Sequence, residues 1–340
     1  MSGANARVEG KLKEYLQSRM PEAEGLEIAR LSRGVYGASR ETFVFDLCWQ
    51  EAGVKKTQAL VLRRDPPTGL LDQISRDTEF RILKSLQGSG IPAPQVLWCE
   101  TDPAFLERPF ILMERVDGNV NQSFQRFAAS NPELRNQIAE GFVEILARIH
   151  NLDWHQSGLD FLGPPLGPLD YAKRELAKWE AILDKVKLEP DPILTEARLW
   201  LRSNLTPAEE VCLVHGDYKL DNVMHKKDRI VAIFDWELAG LGDPHDDLGW
   251  VCMRYYEVDG LLNGLMEREW FLRRYQELSG RTLNPAAIKF WQVFSNLKMA
   301  AISLTGAQRY ISGAAKKNVL AILPLLMPKI HRDIIELLGW

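Results

Sequence analysis

The sequence has no stretch apolar enough to cross a bilayer. Its longest uncharged apolar run, residues 319–327, covers nine residues and contains Pro324, against the roughly 20 that a spanning helix needs. The opening residues MSGANARVEG hold no apolar segment of the secretory kind, which predicts a chain without a secretory signal. Cysteine is scarce. Cys48, Cys99, Cys212 and Cys252 form no CxxC pair, as expected of reduced, buried thiols in a cytoplasmic protein. A surplus of positive charge is missing too: 42 Lys and Arg face 46 Asp and Glu, a net charge of −4. Nothing electrostatic therefore points to DNA or RNA. The chain shows no internal repeat and no low-complexity segment. What is there is 340 residues, 46% apolar and 26% charged, within the globular range and enough for about two domains of roughly 150 residues. Such a chain can bury a core without a disulfide or metal staple.

Charge is spread unevenly. Residues 1–118 carry 16 basic and 17 acidic side chains, residues 119–249 carry 14 and 22, and residues 250–340 carry 12 and 7. An acidic middle followed by a basic tail suits a cation site beside an anion-accepting pocket, and equally suits ordinary surface variation.

The first third reads as strands. Residues 26–31, 42–49 and 58–63 are short apolar stretches with β-branched and aromatic side chains, separated by glycine-containing turns. Asp65-Pro66-Pro67-Thr68-Gly69 ends the third, because proline cannot donate to a ladder. Asp72 reads as the N-cap of a helix reaching about Gln87, which Gly88-Ser89-Gly90 stops. Two more strands are expected at residues 95–100 and 109–114. Five strands and one helix make a small α+β domain.

Beyond Gly118 the period becomes helical. Asn131 caps a helix with Pro132 in its first turn, and Ile138, Phe142, Ile145, Leu146 and Ile149 follow at helical spacing. Residues 161–170 (FLGPPLGPLD) read as a loop, and helices resume at Tyr171. One interruption is expected: a short buried strand over 211–214, then a hairpin pairing 222–225 with 230–234 around 226–229. From there helical periodicity continues to Trp340.

The densest polar cluster lies in residues 211–247. Asp217, Asn222 and Asp235 fall at strand ends or in connecting loops, and the predicted hairpin folds the last two together. Two carboxylates and an amide make the hard-oxygen set that Mg²⁺ accepts beside substrate phosphates. A carboxylate near such a metal but off it can take a proton from an attacking hydroxyl. Loop Asp and Asn are also ordinary turn formers. Two other readings stay open. One makes His215, Asp217, His225, Asp243 and His245 a hydrolytic metal centre, although no HxH or HxxxH pair fixes two imidazoles on one face. The other is a polar network that stiffens the core.

His215-Gly216-Asp217 followed by Asn222, then Asp235-Trp236-Glu237, then Gly242-Asp243-Pro244 with Asp247-Leu248, resembles the aminoglycoside phosphotransferase and choline kinase family over about residues 26–250. That family has the protein-kinase-like fold. The resemblance implies that Asp217 is the catalytic-loop aspartate that orients and deprotonates the acceptor hydroxyl, and that Asn222 holds a metal ion. Asp235 takes the place of the aspartate of Asp-Phe-Gly and binds Mg²⁺, with Trp236-Glu237 replacing Phe-Gly. His215, Asp243 and Asp247 are implied to support the loop.

Upstream, Arg33-Gly34-Val35-Tyr36-Gly37-Ala38-Ser39-Arg40-Glu41-Thr42 corresponds to the turn over the nucleotide phosphates. Gly34 and Gly37 allow close backbone approach there, and the Ser39 hydroxyl or amide can bond a phosphate oxygen. Arg63 stands where the family pattern often has lysine. A guanidinium can still bridge phosphate oxygens and a carboxylate as a planar fork, and Glu79 is the carboxylate expected to hold it. Met113-Glu114-Arg115-Val116-Asp117-Gly118 resembles the hinge, whose backbone near Glu114 and Val116 would meet the adenine edge. The Gly-Ala-Ser-Arg-Glu-Thr loop and the Val-Leu-Arg-Arg strand are similar to kinase domains fused to acyl-CoA dehydrogenases.

The expected fold class is therefore α+β, a two-lobe protein-kinase-like fold. Residues 1–113 form the nucleotide-binding lobe with a five-stranded antiparallel sheet and one helix, 114–118 the hinge, and 119–340 the larger, mostly helical lobe. The expected function is ATP- and Mg²⁺-dependent phosphoryl transfer to a hydroxyl of a small molecule. The alternative is a nucleotide-binding pseudokinase with a scaffolding role. No nucleic acid or membrane partner is expected, and oligomeric state has no signature. The surplus of cations after residue 250, including Arg254, Arg273, Arg274, Lys298, Arg309, Lys316 and Lys317, disfavours a polycationic aminoglycoside. It favours a neutral or anionic acceptor, unless those cations sit on solvated outer faces; the resemblance to kinase domains fused to acyl-CoA dehydrogenases implies a hydroxyacyl thioester or another anionic alcohol.

Overall fold

The structure is a computed structural model that describes residues 3–34, 41–66, 75–120, 131–187, 189–314 and 318–340. The chain divides into two compact units, one of Met1–Gln87 with Pro94–Asp117, the other of Gly88–Ala93 with Gly118–Trp340.

The first unit opens with helix α1 (Gly3–Arg19) and carries strands β1 (Glu24–Arg33), β2 (Glu41–Glu51) and β3 (Val54–Arg64). Helix α2 (Arg76–Ser85), strand β4 (Val96–Glu100), the single turn α3 (Pro103–Leu106) and strand β5 (Phe110–Glu114) follow. All five strands pair antiparallel in the order β1-β2-β3-β5-β4. The expected α+β class and five-stranded sheet are thus observed.

Period-two alternation sets the faces of this sheet. Phe43, Phe45 and Leu47 of β2 and Leu60 and Leu62 of β3 are buried on one face, in a core with Val8, Leu12, Tyr15 and Leu16 of α1. Those four positions have helical spacing, so α1 was legible; the expectation of a single helix overlooked it. The other helix begins at Arg76 after Ser75 rather than at Asp72, which lies outside the described residues, and ends at Ser85. It buries Arg76, Glu79, Ile82 and Leu83.

The second unit contains strand β6 (Asn119–Val120), helices α4 (Pro132–His150), α5 (Asp170–Val186) and α6 (Pro192–Ser203), and the buried strand β7 (Cys212–Val214). The hairpin β8 (Val223–Lys226) and β9 (Arg229–Ile233) follows, then β10 (Gly240–Gly242) and α7 (Pro244–Val251). A two-residue ribbon, β11 (Glu257–Val258) with β12 (Leu261–Leu262), precedes α8 (Arg268–Ser279) and α9 (Pro285–Ile311). The chain ends with α10 (Asn318–Ile322) and α11 (Met327–Leu338). Helix α9, 27 residues long, is buried along most of its length and packs against α5, α6, α7, α10 and α11.

Five of the described helices begin with the same device. Asp102-Pro103, Asn131-Pro132, Asp191-Pro192, Asp243-Pro244 and Asn284-Pro285 each put a side-chain acceptor at the cap and proline in the first turn. The cap oxygen satisfies an orphan amide, and proline removes another. The expectation of unbroken helix after the hairpin fails at two places. Gly240–Gly242 pairs with β7, where Val214 lies opposite Gly240, and the ribbon interrupts the helices again. Both insertions are too short for a periodic signal.

Candidate active site

The loop after β7 is clamped by one carboxylate. Asp247, on α7, accepts from the His215 amide at 2.7 Å and from the Gly216 amide at 2.8 Å. Gly216 has φ of +77°, and a Cβ there would meet the Leu238 carbonyl oxygen at 2.6 Å. Only glycine fits. Asp247 is itself held by His150 Nε2 at 3.1 Å, and Tyr275 Oη donates to His150 Nδ1 at 2.6 Å. Burial pushes the His150 pKa down against the pull of Asp247, so a neutral ring donates from Nε2 and accepts at Nδ1. Burial likewise raises Asp247, but His150 and His215 outweigh it and hold the carboxyl below its ordinary range.

His215 supports the same loop. Its Nε2 bonds the Phe234 carbonyl at 2.9 Å and its Nδ1 accepts from the Asp217 amide at 3.2 Å. Burial pushes its pKa down, against Asp247 and Asp217. The neutral ring thus ties the loop to the end of β9.

The structure brings Asp217 and Asn222 together. Asn222 Nδ2 donates to the Asp217 carbonyl at 2.9 Å and to Asp217 Oδ2 at 2.8 Å. With its NH₂ so used, Asn222 Oδ1 is the end of that amide left to accept or to ligate. The hairpin register sets Val223 opposite Ile233, and the Phe234 amide donates to the Asn222 carbonyl at 2.8 Å. Asp235 is therefore one residue beyond a bond to Asn222. It has left-handed backbone, φ +66° and ψ 54°, a conformation that Asp tolerates better than most residues and that often marks working sites.

Lys219 was missed by sequence reasoning. Its Nζ lies 2.7 Å from both Asp217 oxygens. Burial works against the ammonium, but Asp217, with Tyr256 and Asp235, outweighs it and raises the Lys219 pKa above its ordinary value. The available signal was a basic residue two positions after the motif aspartate.

In the first unit, Arg63 Nη1 lies 3.0 Å from Glu79 Oε1. Alternation along β3 puts Arg63 on the face opposite Leu62, where α2 presents Glu79. Glu79 is fully buried, and Arg76 holds its other oxygen. Glu114 is exposed at the end of β5, and its amide donates to the Gln95 carbonyl at 2.8 Å. Val116, half-buried, follows the ladder bond from the Arg115 amide to Ala59 O at 2.9 Å. Gly37 and Ser39 lie outside the described residues. The residues on either side are described: the Gly34 amide donates to the Thr42 carbonyl at 2.8 Å.

The histidine-rich metal centre does not form. Asp243 Oδ1 accepts from the His245 amide at 2.9 Å and pairs with His245 Nδ1 at 2.7 Å, while Asp243 Oδ2 accepts from Trp291 Nε1 at 3.1 Å. His245 Nε2 accepts from the Asn284 amide, and His225 Nδ1 bonds Lys227 O. Among the described residues no group of three His, Cys, Asp or Glu gathers to hold a metal.

Several cations of the tail are held in ion pairs. Arg254 pairs with Asp333 and Glu336, and Arg274 with Glu140 and Glu277. Lys316 and Lys317 lie outside the described residues. Lys298 is buried instead. Cys212 and Cys252 are buried and Cys48 and Cys99 half-buried, all four as free thiols. No described helix is long and apolar enough to cross a membrane.

With this geometry in place, likeness to known proteins is informative. A profile described as "Phosphotransferase enzyme family" matches residues 50–282. The chain is 31% identical over 319 residues to acyl-CoA dehydrogenase family member 11 of Rattus norvegicus, covering 89% of this chain and 39% of that protein. It thus spans about two fifths of that relative's length. Among solved structures, an aminoglycoside phosphotransferase-type protein of Ralstonia eutropha superposes with a TM-score of 0.74 at 24% identity, over 95% of this chain and 97% of the other. A ternary complex of streptomycin, ATP and the aminoglycoside phosphotransferase APH(2")-IIa gives a TM-score of 0.56 at 17% identity, over 87% and 90%. These superpositions show the fold, the protein-kinase-like one. From the profile, which covers well over half of its length, the chain belongs to the phosphotransferase enzyme family.

Proposed function

We propose that this protein transfers the γ-phosphoryl group of ATP to a hydroxyl of a small molecule, with Asp217 as the base. The observation that carries the reading is the double hold of Asn222 on Asp217, at 2.9 and 2.8 Å, next to a hairpin that delivers Asp235. Asp217 Oδ2 receives both Asn222 and Lys219, whereas Oδ1 receives Lys219. Oδ1 is thus the oxygen with room to accept the hydroxyl proton. Little covalent chemistry is asked of the protein in such a transfer; positioning and charge compensation dominate.

The donor set fits Mg²⁺. Asn222 Oδ1 and the Asp235 carboxylate are hard oxygens, and Asp217, already paired with Lys219, is kept for the proton. Bound there, Mg²⁺ would neutralise charge on the phosphate oxygens. In the first unit, Arg63 held by Glu79, residues Gly37 and Ser39, and the 114–118 segment with Glu114 and Val116 are the proposed nucleotide contacts. The ATP complex of a protein with this fold supports ATP as the nucleotide.

For the acceptor we propose a neutral or anionic alcohol, a hydroxyacyl thioester being the leading class, supported by the acyl-CoA dehydrogenase name of the rat relative. The test is a screen of purified protein with labelled ATP against hydroxyacyl-CoA thioesters, sugars, choline-like alcohols and aminoglycosides. Phosphorylation confined to thioesters is expected. Aminoglycoside turnover with kcat/KM near about 10⁴ M⁻¹s⁻¹ overturns the acceptor class. Asp217→Asn should lower turnover by about 10²–10⁴ while ATP affinity stays nearly intact. Full turnover by that variant removes Asp217 from the mechanism.

A further inference from the structure

Lys298 is the least expected cation of the second unit. It projects from α9, is 3% exposed, and donates to the Gly216 carbonyl at 2.5 Å. Its ammonium lies 4.6 Å from the Trp250 ring centroid and 5.5 Å from that of Trp179. Two π-faces and one carbonyl compensate a buried cation poorly, so counter-charge must come from elsewhere. Asp246 of α7 and Glu175 of α5 supply it, lining the same cavity as Lys298. That cavity measures about 20 Å³, room for one water and far too small for an acceptor. Lys298 therefore does not reach substrate through it.

The Gly216–Asp217 peptide is where this cation acts. Its carbonyl takes the Lys298 bond, its N–H belongs to Asp217 and bonds His215, and the preceding Gly216 amide is held by Asp247. A peptide plane fixed at both ends directs the Cα–Cβ bond of Asp217. We infer that Lys298, balanced by Asp246, is a positioning residue for phosphoryl transfer, holding the Gly216 carbonyl so that Asp217 is aimed at the acceptor. The inference rests on the reading of Asp217 as the base.

Asp246 gives the arrangement a pH signature. Its Oδ1 is buried with no hydrogen-bond partner. Burial pushes this carboxyl up to about 7, against Lys298, with Asp247, Glu175 and Asp243 adding to the rise. Glu175 goes the other way: burial raises it, but Lys178, Arg174 and Lys298 outweigh that and hold it down. When Asp246 takes a proton, Glu175 remains as the anion and draws the ammonium toward α5, away from Gly216. Turnover should fall as pH drops through that ionisation.

The test follows hydrolysis of ATP with Mg²⁺ by the full chain, water standing in for the acceptor. Lys298→Met is expected to lower kcat per folded molecule by about 10- to 100-fold, the scale of a small misplacement, with KM for ATP within about threefold. Asp246→Asn is expected to remove an acid limb of kcat centred near pH 7 in the parent chain. Parental kcat per folded molecule in Lys298→Met, or a limb unchanged in Asp246→Asn, overturns the inference. Should Lys298→Met fail to fold, the pH limb alone decides it. Asp217→Asn is run in parallel. If it keeps full turnover, the proposed chemistry itself has failed; if it is inactive while Lys298→Met is not, only the positioning role has.

Discussion

Both carboxylate oxygens of Asp217 lie 2.7 Å from the ammonium of Lys219, two residues along the same loop. The pair is largely buried, with 12% of the Asp217 side chain and 21% of the Lys219 side chain exposed. Removing one partner of such a pair strands the other. Lys219→Met should therefore leave Asp217 without its cation and reduce ATP turnover by about 10²-fold, while Lys219→Arg recovers part of it. Steady-state hydrolysis at saturating ATP checks this, and unchanged turnover in Lys219→Met would separate the ion pair from the chemistry.

Asp235 needs a substitution that respects its backbone. Asn adopts left-handed φ about as readily as Asp, so Asp235→Asn removes the charge and keeps the turn. Nucleotide affinity measured with excess Mg²⁺ and with excess EDTA should differ in the parent chain and become equal in the variant. A variant that still distinguishes the two conditions moves the metal off Asp235.

Glu79 sits between Arg63 and Arg76 with none of its side chain exposed. Glu79→Ala leaves two guanidiniums facing a cavity and should cost about 3–5 kcal/mol in urea unfolding of the first unit. Arg63→Ala should weaken ATP binding, and Arg63→Lys should restore part of the affinity through the retained charge. Titration calorimetry with ATP separates these outcomes. Indifference of ATP affinity to both Arg63 changes places the phosphate contacts elsewhere.

Asp246 predicts a pH dependence of stability that runs opposite to a paired surface carboxylate. Its folded pKa is raised from 3.8 to about 7, so the native state holds a proton there that the unfolded chain has released. The contribution is fully present below about pH 4 and is lost as pH rises through about 7. Asp246→Asn keeps the neutral form at every pH. Its Tm should rise relative to the parent between pH 5 and pH 8, as scanning calorimetry would read. A constant difference across that range overturns the assignment.

Much of the site was legible because its parts are local. The spacing from Asp217 to Asn222 spans one turn, and strand, loop and hairpin between Cys212 and Ile233 follow from short-range pattern, so the two side chains converge whatever surrounds them. The five sheet strands were legible for the same reason, as alternation along β2 and β3 declares which residues face the core. Helix α1 was equally readable from Val8, Leu12, Tyr15 and Leu16. Gly240–Gly242 was not, since three residues carry no period and their strand exists because β7 needs a partner.

By itself, then, the sequence determined the strand-rich first unit, the helical second one and the set of polar groups in the loop after β7, all properties of neighbours in the chain. Tertiary structure alone decided what those groups rest on. The Asp247 carboxylate reaches His215 across 32 residues and is held by His150 across 97. Lys298 meets the Gly216 carbonyl across 82. In the sequence Lys298 is one of 12 basic residues in a charged tail, and nothing distinguishes it from Arg254 or Arg274. Its burial follows from the packing of α9 against α5 and α7. Which cations reach solvent and which are enclosed is settled only when those helices pack, because charge is local to a residue and burial belongs to the whole unit.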